Sequence, residues 1–208
     1  MAYQSLYRRY RSKTFQELVG QDHIVTALKN AVTENRVGHA YLFSGPRGTG
    51  KTSTARILGK ALNCINLQEG GEPCCECDSC ASFTDGTSYD LQELDAASNN
   101  GVEAVRELIS KVALGSPGKT KIYILDEVHM LTTGAENALL KTLEEPPDHV
   151  KFLLATTDPK KVPITVLSRC LQFQLRNITS KGISDYLKGV LKIENVEFEN
   201  EGLEPVSD

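Results

Sequence analysis

The chain has 208 residues, of which 40% are hydrophobic and 24% charged, and its formal net charge is −4. This length suits one large domain or two small ones, and the composition is ordinary for a soluble globular protein. No apolar run approaches the ~20 residues of a membrane-spanning helix, so we expect a cytoplasmic protein without a membrane partner. The acidic balance argues against a uniformly basic nucleic-acid binder, although residues 1–14 carry four basic side chains and no acid.

Strand and helix signals alternate along the chain. Helices are predicted within 21–36, 53–62, 102–112 and 180–193, and after a capping pair formed by Thr133 and Glu136. Strands are predicted at 41–44, 91–95, 121–125, 152–155 and 171–175, and residues 64–86 are predicted to be a loop. The alternation predicts an α/β fold with a parallel sheet covered on both faces. Its ligand site should lie at the carboxyl ends of the strands.

A glycine-rich segment follows the first predicted strand. Residues 45–52 read GPRGTGKT, and the context of strand, loop and helix makes this pattern a nucleotide site. The glycines let successive N–H groups and the helix N-terminus face the phosphates, while Lys51 supplies a charge and Thr52 a hydroxyl for Mg²⁺. The alternative is a glycine-rich turn that happens to precede a helix. We predict nucleotide contacts from the whole segment: Gly45, Pro46, Arg47, Gly48, Thr49, Gly50, Lys51, Thr52 and Ser53.

Five of the six cysteines lie between Cys64 and Cys80. Four of them are spaced C-x9-C-x2-C-x2-C, and four thiolates suit a closed, structural zinc site. An iron–sulfur cluster is the rival, because C-x2-C-x2-C also occurs there. Cys75 could replace a neighbour as ligand, whereas Cys170 is better explained as a small buried hydrophobe.

Polar residues follow two of the later strands. The apolar run at 121–125 ends in Asp126 and Glu127, which in an ATPase would hold the magnesium shell and activate the attacking water. The alternative is an acidic helix cap. Thr156 and Thr157 end the next strand, where a hydroxyl would contact the γ-phosphate or simply cap a turn. Arg169 precedes the last strand and is either a solvated cation or an arginine finger.

Taken together, these motifs resemble the gamma/tau family of bacterial DNA polymerase III subunits, the ATPases of sliding-clamp loaders. The matching blocks are 10–21, 39–52, 62–64, 95–99, 126–131, 137–147, 152–159 and 167–170. The resemblance implies an AAA+ P-loop NTPase core with a five-stranded parallel sheet, an ATPase domain at 1–178, a zinc module inserted at about 64–82, and the start of a helical lid at 179–208. The chain would then be an N-terminal fragment of the family's full-length protein.

The resemblance also implies roles for individual residues. It places ATP and Mg²⁺ in the glycine-rich loop, with Lys51, Asp126, Glu127 and Thr157 in catalysis, and Thr52 and Asp126 on the magnesium ion. It assigns zinc to Cys64, Cys74, Cys77 and Cys80, and it makes Thr157 the preferred γ-phosphate sensor of the two threonines. Arg169 would reach the ATP site of a neighbouring subunit. The N-terminal arm would border the adenine through Tyr7, Arg11 and Val19.

The implied partners are other clamp-loader subunits, the sliding clamp and primed DNA. Three departures stand out: Ser12 replaces the family's usual proline, Cys75 is an extra cysteine, and the second sensor arginine and the oligomerising collar would lie beyond Asp208. We therefore expect this chain by itself to be a monomer. Two rival functions remain, a scaffold that binds partners without hydrolysing ATP and a DExH-type helicase motor, because residues 126–129 also fit that box.

Overall fold

A computed structural model describes residues 5–113 and 115–197, except for the side chains of residues 7 and 8. Its centre is a sheet of five parallel strands in the order β2-β3-β4-β1-β5. The strands are β1 (Ala40–Ser44), β2 (Leu91–Asp95), β3 (Lys121–Asp126), β4 (Val150–Thr156) and β5 (Leu171–Gln174). The helices are α1 (Leu6–Arg9), α2 (Asp22–Thr33), α3 (Lys51–Asn63), α4 (Asp78–Asp85), α5 (Val102–Ser110), α6 (Thr133–Glu144), α7 (Ile164–Leu167) and α8 (Ser180–Ile193).

The apolar runs of the sequence become the interior of the sheet. β1 is buried along its whole length, and β3 and β4 are each buried at all but one position, because helices cover both of their faces. One apolar cluster includes Tyr123 and Phe152, which stack with ring centroids 5.3 Å apart, and the other includes Tyr41 and Phe43. The edge strands β2 and β5 keep most of their residues partly or fully exposed.

The sheet topology brings the polar strand ends together. β1 lies beside β4 with Ser44 opposite Thr156, and β3 lies beside β4 with Leu125 opposite Leu154. The segments that follow these three strands therefore leave the sheet on the same side, at the carboxyl ends of the strands. They are the glycine-rich loop, Asp126 with Glu127, and Thr157. The predicted α/β fold with a five-stranded parallel sheet is confirmed.

Two local predictions were wrong. The α6 cap is Thr132, one residue before the predicted one, because its extended backbone lets its side chain accept a hydrogen bond from the Ala135 N–H. The segment 64–86 is not all loop, since it contains α4, whose first turn is capped by the Cys77 side chain accepting from the Cys80 N–H. Thiols are seldom considered as helix caps, so the sequence did not indicate this helix.

The predicted helix at 180–193 is confirmed as α8. It contacts the N-terminal arm, where the Tyr186 hydroxyl donates to the Tyr10 carbonyl and Glu194 pairs with Arg9. The rest of the predicted lid, residues 198–208, lies outside the described residues, so the domain boundary at 178 stays a prediction. In the described part of the chain, no helix is both long and apolar enough to cross a bilayer.

Candidate nucleotide-binding site and cysteine cluster

The loop between β1 and α3 has the backbone that its glycines predict. Gly45, Gly48 and Gly50 have φ of 147°, 78° and 96°. At Gly45 a Cβ atom would also lie 2.6 Å from the carbonyl oxygen of Leu175, so a larger residue would displace the backbone that directly follows β5. Since Gly50 caps α3, the first N–H groups of this helix face the loop. The segment is thus an anion-binding loop at a helix N-terminus, as the sequence indicates.

Lys51 is held inside this loop. Its ammonium group donates to the Pro46 carbonyl oxygen at 2.7 Å, and the residue is only 6% exposed. Burial lowers the pKa of Lys51, and the nearby carboxylates of Glu127 and Asp126 oppose that shift. A buried cation that is satisfied mainly by one carbonyl can exchange that partner for phosphate oxygens at little cost.

The loop is joined to the end of β3 by one short contact. The Thr52 hydroxyl donates to Asp126 Oδ2 at 2.6 Å, and Asp126 Oδ1 accepts from the Glu127 N–H at 2.9 Å. Hydroxyl and carboxylate oxygens are the ligands that Mg²⁺ prefers. The two side chains therefore fit the predicted magnesium site.

Glu127 is held at the same end of the sheet by Thr157, the residue that directly follows β4. Its Oε2 atom accepts from the Thr157 N–H at 3.0 Å and from the Thr157 hydroxyl at 2.8 Å, and His129 Nδ1 lies 3.4 Å from it. Thr156 is fully buried and its hydroxyl lies 2.9 Å from the same His129 atom. Thr157 is thus the threonine that donates to the predicted catalytic carboxylate, whereas the Thr156 hydroxyl contacts His129.

A cavity of about 290 Å³ opens between these elements. Its lining residues are Arg11, Arg47, Gly48, Gly50, Lys51, Thr52, Ser53, Asp126 and Glu127. Most of the predicted loop contacts therefore share one space with both acids. Gly45, Pro46, Thr49 and Thr157 do not line it: Gly45 packs on β5, and the Pro46 carbonyl oxygen accepts from the Thr49 hydroxyl as well as from Lys51.

The N-terminal arm reaches the cavity through one side chain. Arg11 Nε donates to the Ser53 hydroxyl at 3.0 Å, and burial lowers the Arg11 pKa, with Arg56 as a second cause. Val19 instead lies near Gly182 of α8 and does not line the cavity. The side chain of Tyr7 lies outside the described residues. Of the three predicted arm contacts, Arg11 is the one that the described structure places at the cavity.

Arg169 is not among the lining residues of its own chain's cavity. Its guanidinium pairs with Glu144 at the end of α6 and donates to the Thr165 carbonyl oxygen at 2.5 Å. The neighbouring Cys170 packs against the apolar cluster, and burial raises the pKa of its thiol to about 12. Cys170 is thus a small apolar residue, as the sequence predicts, but it is only partly buried.

The cysteine cluster lies beyond the far end of α3. The Sγ atoms of Cys64, Cys74, Cys77 and Cys80 lie within 4.8 Å of one another, with 3.5 Å between Cys64 and Cys74 and 3.8 Å between Cys74 and Cys80. Four thiolates around zinc, each at about 2.3 Å, would lie about 3.8 Å apart in a tetrahedron. The four side chains fit a tetrahedral metal site.

The surroundings of the four thiols also favour a metal. Backbone N–H groups of Glu76 and Cys77 lower the pKa of Cys74 to about 6, whereas burial raises the pKa of Cys64 and of Cys80. Two of the four therefore resist ionisation by themselves, and a cation would be needed to hold four thiolates so close together. A zinc ion would supply that charge.

Cys75 does not belong to this set. Its backbone is left-handed, with φ of 60°, and its Sγ atom accepts from Lys60 Nζ at 3.3 Å and contacts the Lys13 carbonyl oxygen at 3.5 Å. The structure therefore favours the ligand set without Cys75.

Two polar side chains that contact predicted site residues were not predicted from the sequence. His129 contacts both Glu127 and Thr156, and Glu144 pairs with Arg169. In the sequence, His129 stands out only as part of the block 126–131 that resembles the gamma/tau family and of the possible helicase box at 126–129. A histidine two residues after the acids was a usable signal for His129, whereas nothing in the sequence distinguishes Glu144 from its neighbour Glu145.

The family described as "DNA polymerase III, delta subunit" matches residues 20–179 of the chain. A DNA polymerase III subunit tau/gamma from Haemophilus influenzae is 53% identical over 98% of this chain and 30% of that protein. The DNA polymerase III subunits tau of Bacillus subtilis and Escherichia coli are each 50% identical, over 100% and 98% of this chain and 37% and 32% of their own lengths. The chain thus spans about a third of these relatives.

Solved structures show the same fold. The RuvB Holliday junction branch migration motor of Thermotoga maritima superposes with a TM-score of 0.66 at 20% identity, over 94% of this chain and 58% of that one. A DNA polymerase III gamma subunit-related protein from the same organism gives a TM-score of 0.51 at 20% identity, over 80% and 53%. At such identities the likeness shows the fold alone, and it confirms the predicted AAA+ fold.

The cysteine cluster predicts a contrast between adjacent residues. Cys74→Ser should lose bound metal and lower the thermal unfolding temperature, because one of four ligands is gone. Cys75→Ser, the matched control, should keep about one zinc per chain. Elemental analysis for zinc and iron, together with a thermal melt, checks both. Metal retained by Cys74→Ser but lost by Cys75→Ser would contradict the ligand set, and iron instead of zinc would favour the iron–sulfur alternative.

Proposed function

Because the chain belongs to the tau/gamma family of DNA polymerase III subunits, we propose that it binds and hydrolyses ATP as the motor subunit of a clamp loader. One observation carries the proposal: Lys51, Thr52, Asp126 and Glu127 are all intact and line one cavity beside the glycine-rich loop. The clamp loader would place the sliding clamp on primed DNA, with other loader subunits as partners. Its site of action would be the cytoplasm.

Nucleotide binding begins at the loop. The N–H groups of the loop and of the first turn of α3 would bind the phosphate oxygens, and Lys51 would exchange the Pro46 carbonyl for the β- and γ-phosphates. Arg11 and Ser53, already hydrogen-bonded at one side of the cavity, would border the rest of the nucleotide. Tyr7 and Val19 remain further candidates on the arm.

Thr52 and Asp126 would hold the magnesium ion. When bound, Mg²⁺ neutralises charge on the β- and γ-phosphates. The hydrogen bond between the two side chains keeps their oxygen atoms 2.6 Å apart. The protein thus holds both ligands near one point, so little reorganisation is needed on binding.

Glu127 would orient and deprotonate the attacking water. Both donors of Thr157 hold one oxygen of its carboxylate, which leaves the other oxygen for water. Thr157 would sense the γ-phosphate through its hydroxyl, and a hydroxyl that turned to the phosphate would release Glu127. Nucleotide binding and the orientation of the base would then be coupled through one side chain.

Hydrolysis in an assembly would need a second subunit. Arg169 lies away from its own cavity, where Glu144 and the Thr165 carbonyl oxygen hold its guanidinium. An arginine held at the surface can complete the site of a neighbouring subunit and stabilise charge on the transferred phosphoryl group. We assign this role to Arg169, and a structural zinc site to the cysteine cluster.

The rival functions receive less support. A scaffold that binds partners without hydrolysis would not require four intact catalytic side chains around one cavity. A helicase motor of the DExH type is less favoured, because the relatives that match nearly the whole chain are DNA polymerase III subunits. Strand unwinding by the full-length protein would favour the helicase.

The hydrolysis proposal predicts a separation of binding from turnover. Glu127→Gln should lower kcat by about 10²–10⁴-fold, because the amide cannot accept the proton from water, while nucleotide affinity stays near the wild-type value. Glu145→Gln, which replaces an exposed acid at the end of α6, is the matched control and should leave both unchanged. Phosphate release and equilibrium nucleotide binding measure the two quantities. Turnover that survives Glu127→Gln would contradict the assignment.

The arginine-finger role predicts a defect that appears only in the assembly. Arg169→Ala in a clamp-loader complex should reduce DNA-stimulated hydrolysis by about 10³–10⁵-fold and leave nucleotide binding intact. Arg36→Ala removes an exposed arginine that pairs with Glu34 and serves as the control. The measurement is the ATPase rate with and without primed DNA. Unchanged stimulation in Arg169→Ala would exclude the finger.

A further inference from the structure

His129 lies behind the proposed catalytic base. It is the second residue of a 3-10 turn, Val128–Met130, that follows Glu127, and its side chain is 8% exposed. It does not line the nucleotide cavity. Its Nδ1 atom lies between two oxygen atoms, 2.9 Å from the Thr156 hydroxyl and 3.4 Å from Glu127 Oε2.

The chemistry of these oxygen atoms selects one tautomer of the imidazole. A carboxylate only accepts hydrogen bonds, and the Thr156 hydroxyl oxygen, which accepts from the Asp158 N–H at 3.1 Å, has a second lone pair for Nδ1. An unprotonated Nδ1 would place its lone pair 3.4 Å from the Glu127 carboxylate oxygen, which is repulsive. A protonated Nδ1 donates to Thr156 and places its positive N–H beside the carboxylate. The geometry therefore favours the tautomer with the proton on Nδ1.

The turn that carries His129 is fixed on both sides. Val128 is buried in the apolar cluster on one face of the sheet, and the Met130 N–H donates to the Glu127 carbonyl oxygen at 2.8 Å. Glu127 itself has a left-handed backbone, with φ of 48°, which is unfavourable for a glutamate. A strained residue keeps one orientation only if its neighbours determine it, and His129 and Thr157 are the side chains that contact its carboxylate.

We propose that His129 is a positioning residue for hydrolysis: its Nδ1–H, backed by the buried Thr156 hydroxyl, holds the Glu127 carboxylate in the orientation in which it activates water. This inference rests on the proposed ATPase function. It assigns His129 no contact with the nucleotide, so its loss lowers turnover and leaves nucleotide affinity unchanged.

Two amide variants test the position of the donor. In His129→Asn the amide nitrogen takes roughly the place of Nδ1, whereas in His129→Gln it takes roughly the place of Nε2. We expect kcat to fall about ten- to hundredfold in His129→Gln, the size of effect expected from losing one interaction with a charged group, and to be largely restored in His129→Asn. The dissociation constant for ATP should stay within twofold in both. His149→Asn is the control. His149 lies just before the first residue of β4, at the end of the strand that is far from Glu127.

The outcomes are distinct. Wild-type turnover in His129→Gln, equal losses in both amide variants, or an affinity loss that matches the loss in kcat would overturn the positioning role. If the wild-type protein and Glu127→Gln hydrolyse ATP equally slowly, the proposed function fails instead.

An NMR measurement that does not depend on ATP hydrolysis tests the positioning role of His129 even if the proposed function fails. Long-range ¹H–¹⁵N spectra of the imidazole rings report which nitrogen carries the proton. We expect a protonated Nδ1 on His129 whose resonance shifts in Glu127→Gln and not in Glu145→Gln. A neutral ring protonated only on Nε2 would overturn the inference.

Discussion

The hydrogen bond between the Thr52 hydroxyl and the Asp126 carboxylate joins the two segments from which the site is built. One segment is the glycine-rich loop with α3, and the other is the acidic end of β3. The contact forms only because β1 and β3 both flank β4 and all three run in the same direction, so their carboxyl ends share an edge. A change in strand order or direction would separate Lys51 from Glu127, whatever the motifs in the sequence.

Helix α3 connects this site to the cysteine cluster. It starts at Lys51 in the cavity, ends at Asn63 and is followed directly by Cys64, so its 13 residues span about 20 Å. The segment around the cluster also holds the N-terminal arm, since Glu72 accepts from the Phe15 N–H at 2.9 Å and from Lys29 at 3.2 Å. Arg11, four residues before Phe15, is the arm's contact with the cavity. The cysteine cluster can thus stabilise both the N-terminal arm and the C-terminal end of α3.

The sequence predicted those features that depend on local pattern. The strands, the glycine-rich loop and the two acids after β3 each have a signature within a few residues, and the structure brings them together as expected. Features that depend on spatial neighbours were missed. Pattern alone left the roles of Thr156 and Thr157 open, and only the family resemblance preferred Thr157, the residue that contacts Glu127. The thiol cap of α4 and the pairing of Arg169 with Glu144 join groups that no periodicity relates.

The most direct test of the proposed nucleotide site is isothermal titration calorimetry, in which Mg²⁺-ATP is titrated into the wild-type chain and into Lys51→Met. Lys51 is the buried cation of the cavity, and in the structure its ammonium group donates to a carbonyl of its own loop. We predict one nucleotide per wild-type chain and no measurable binding to Lys51→Met, although both proteins should melt at similar temperatures. Equal binding by the two proteins, or none by a folded wild-type chain, would contradict it.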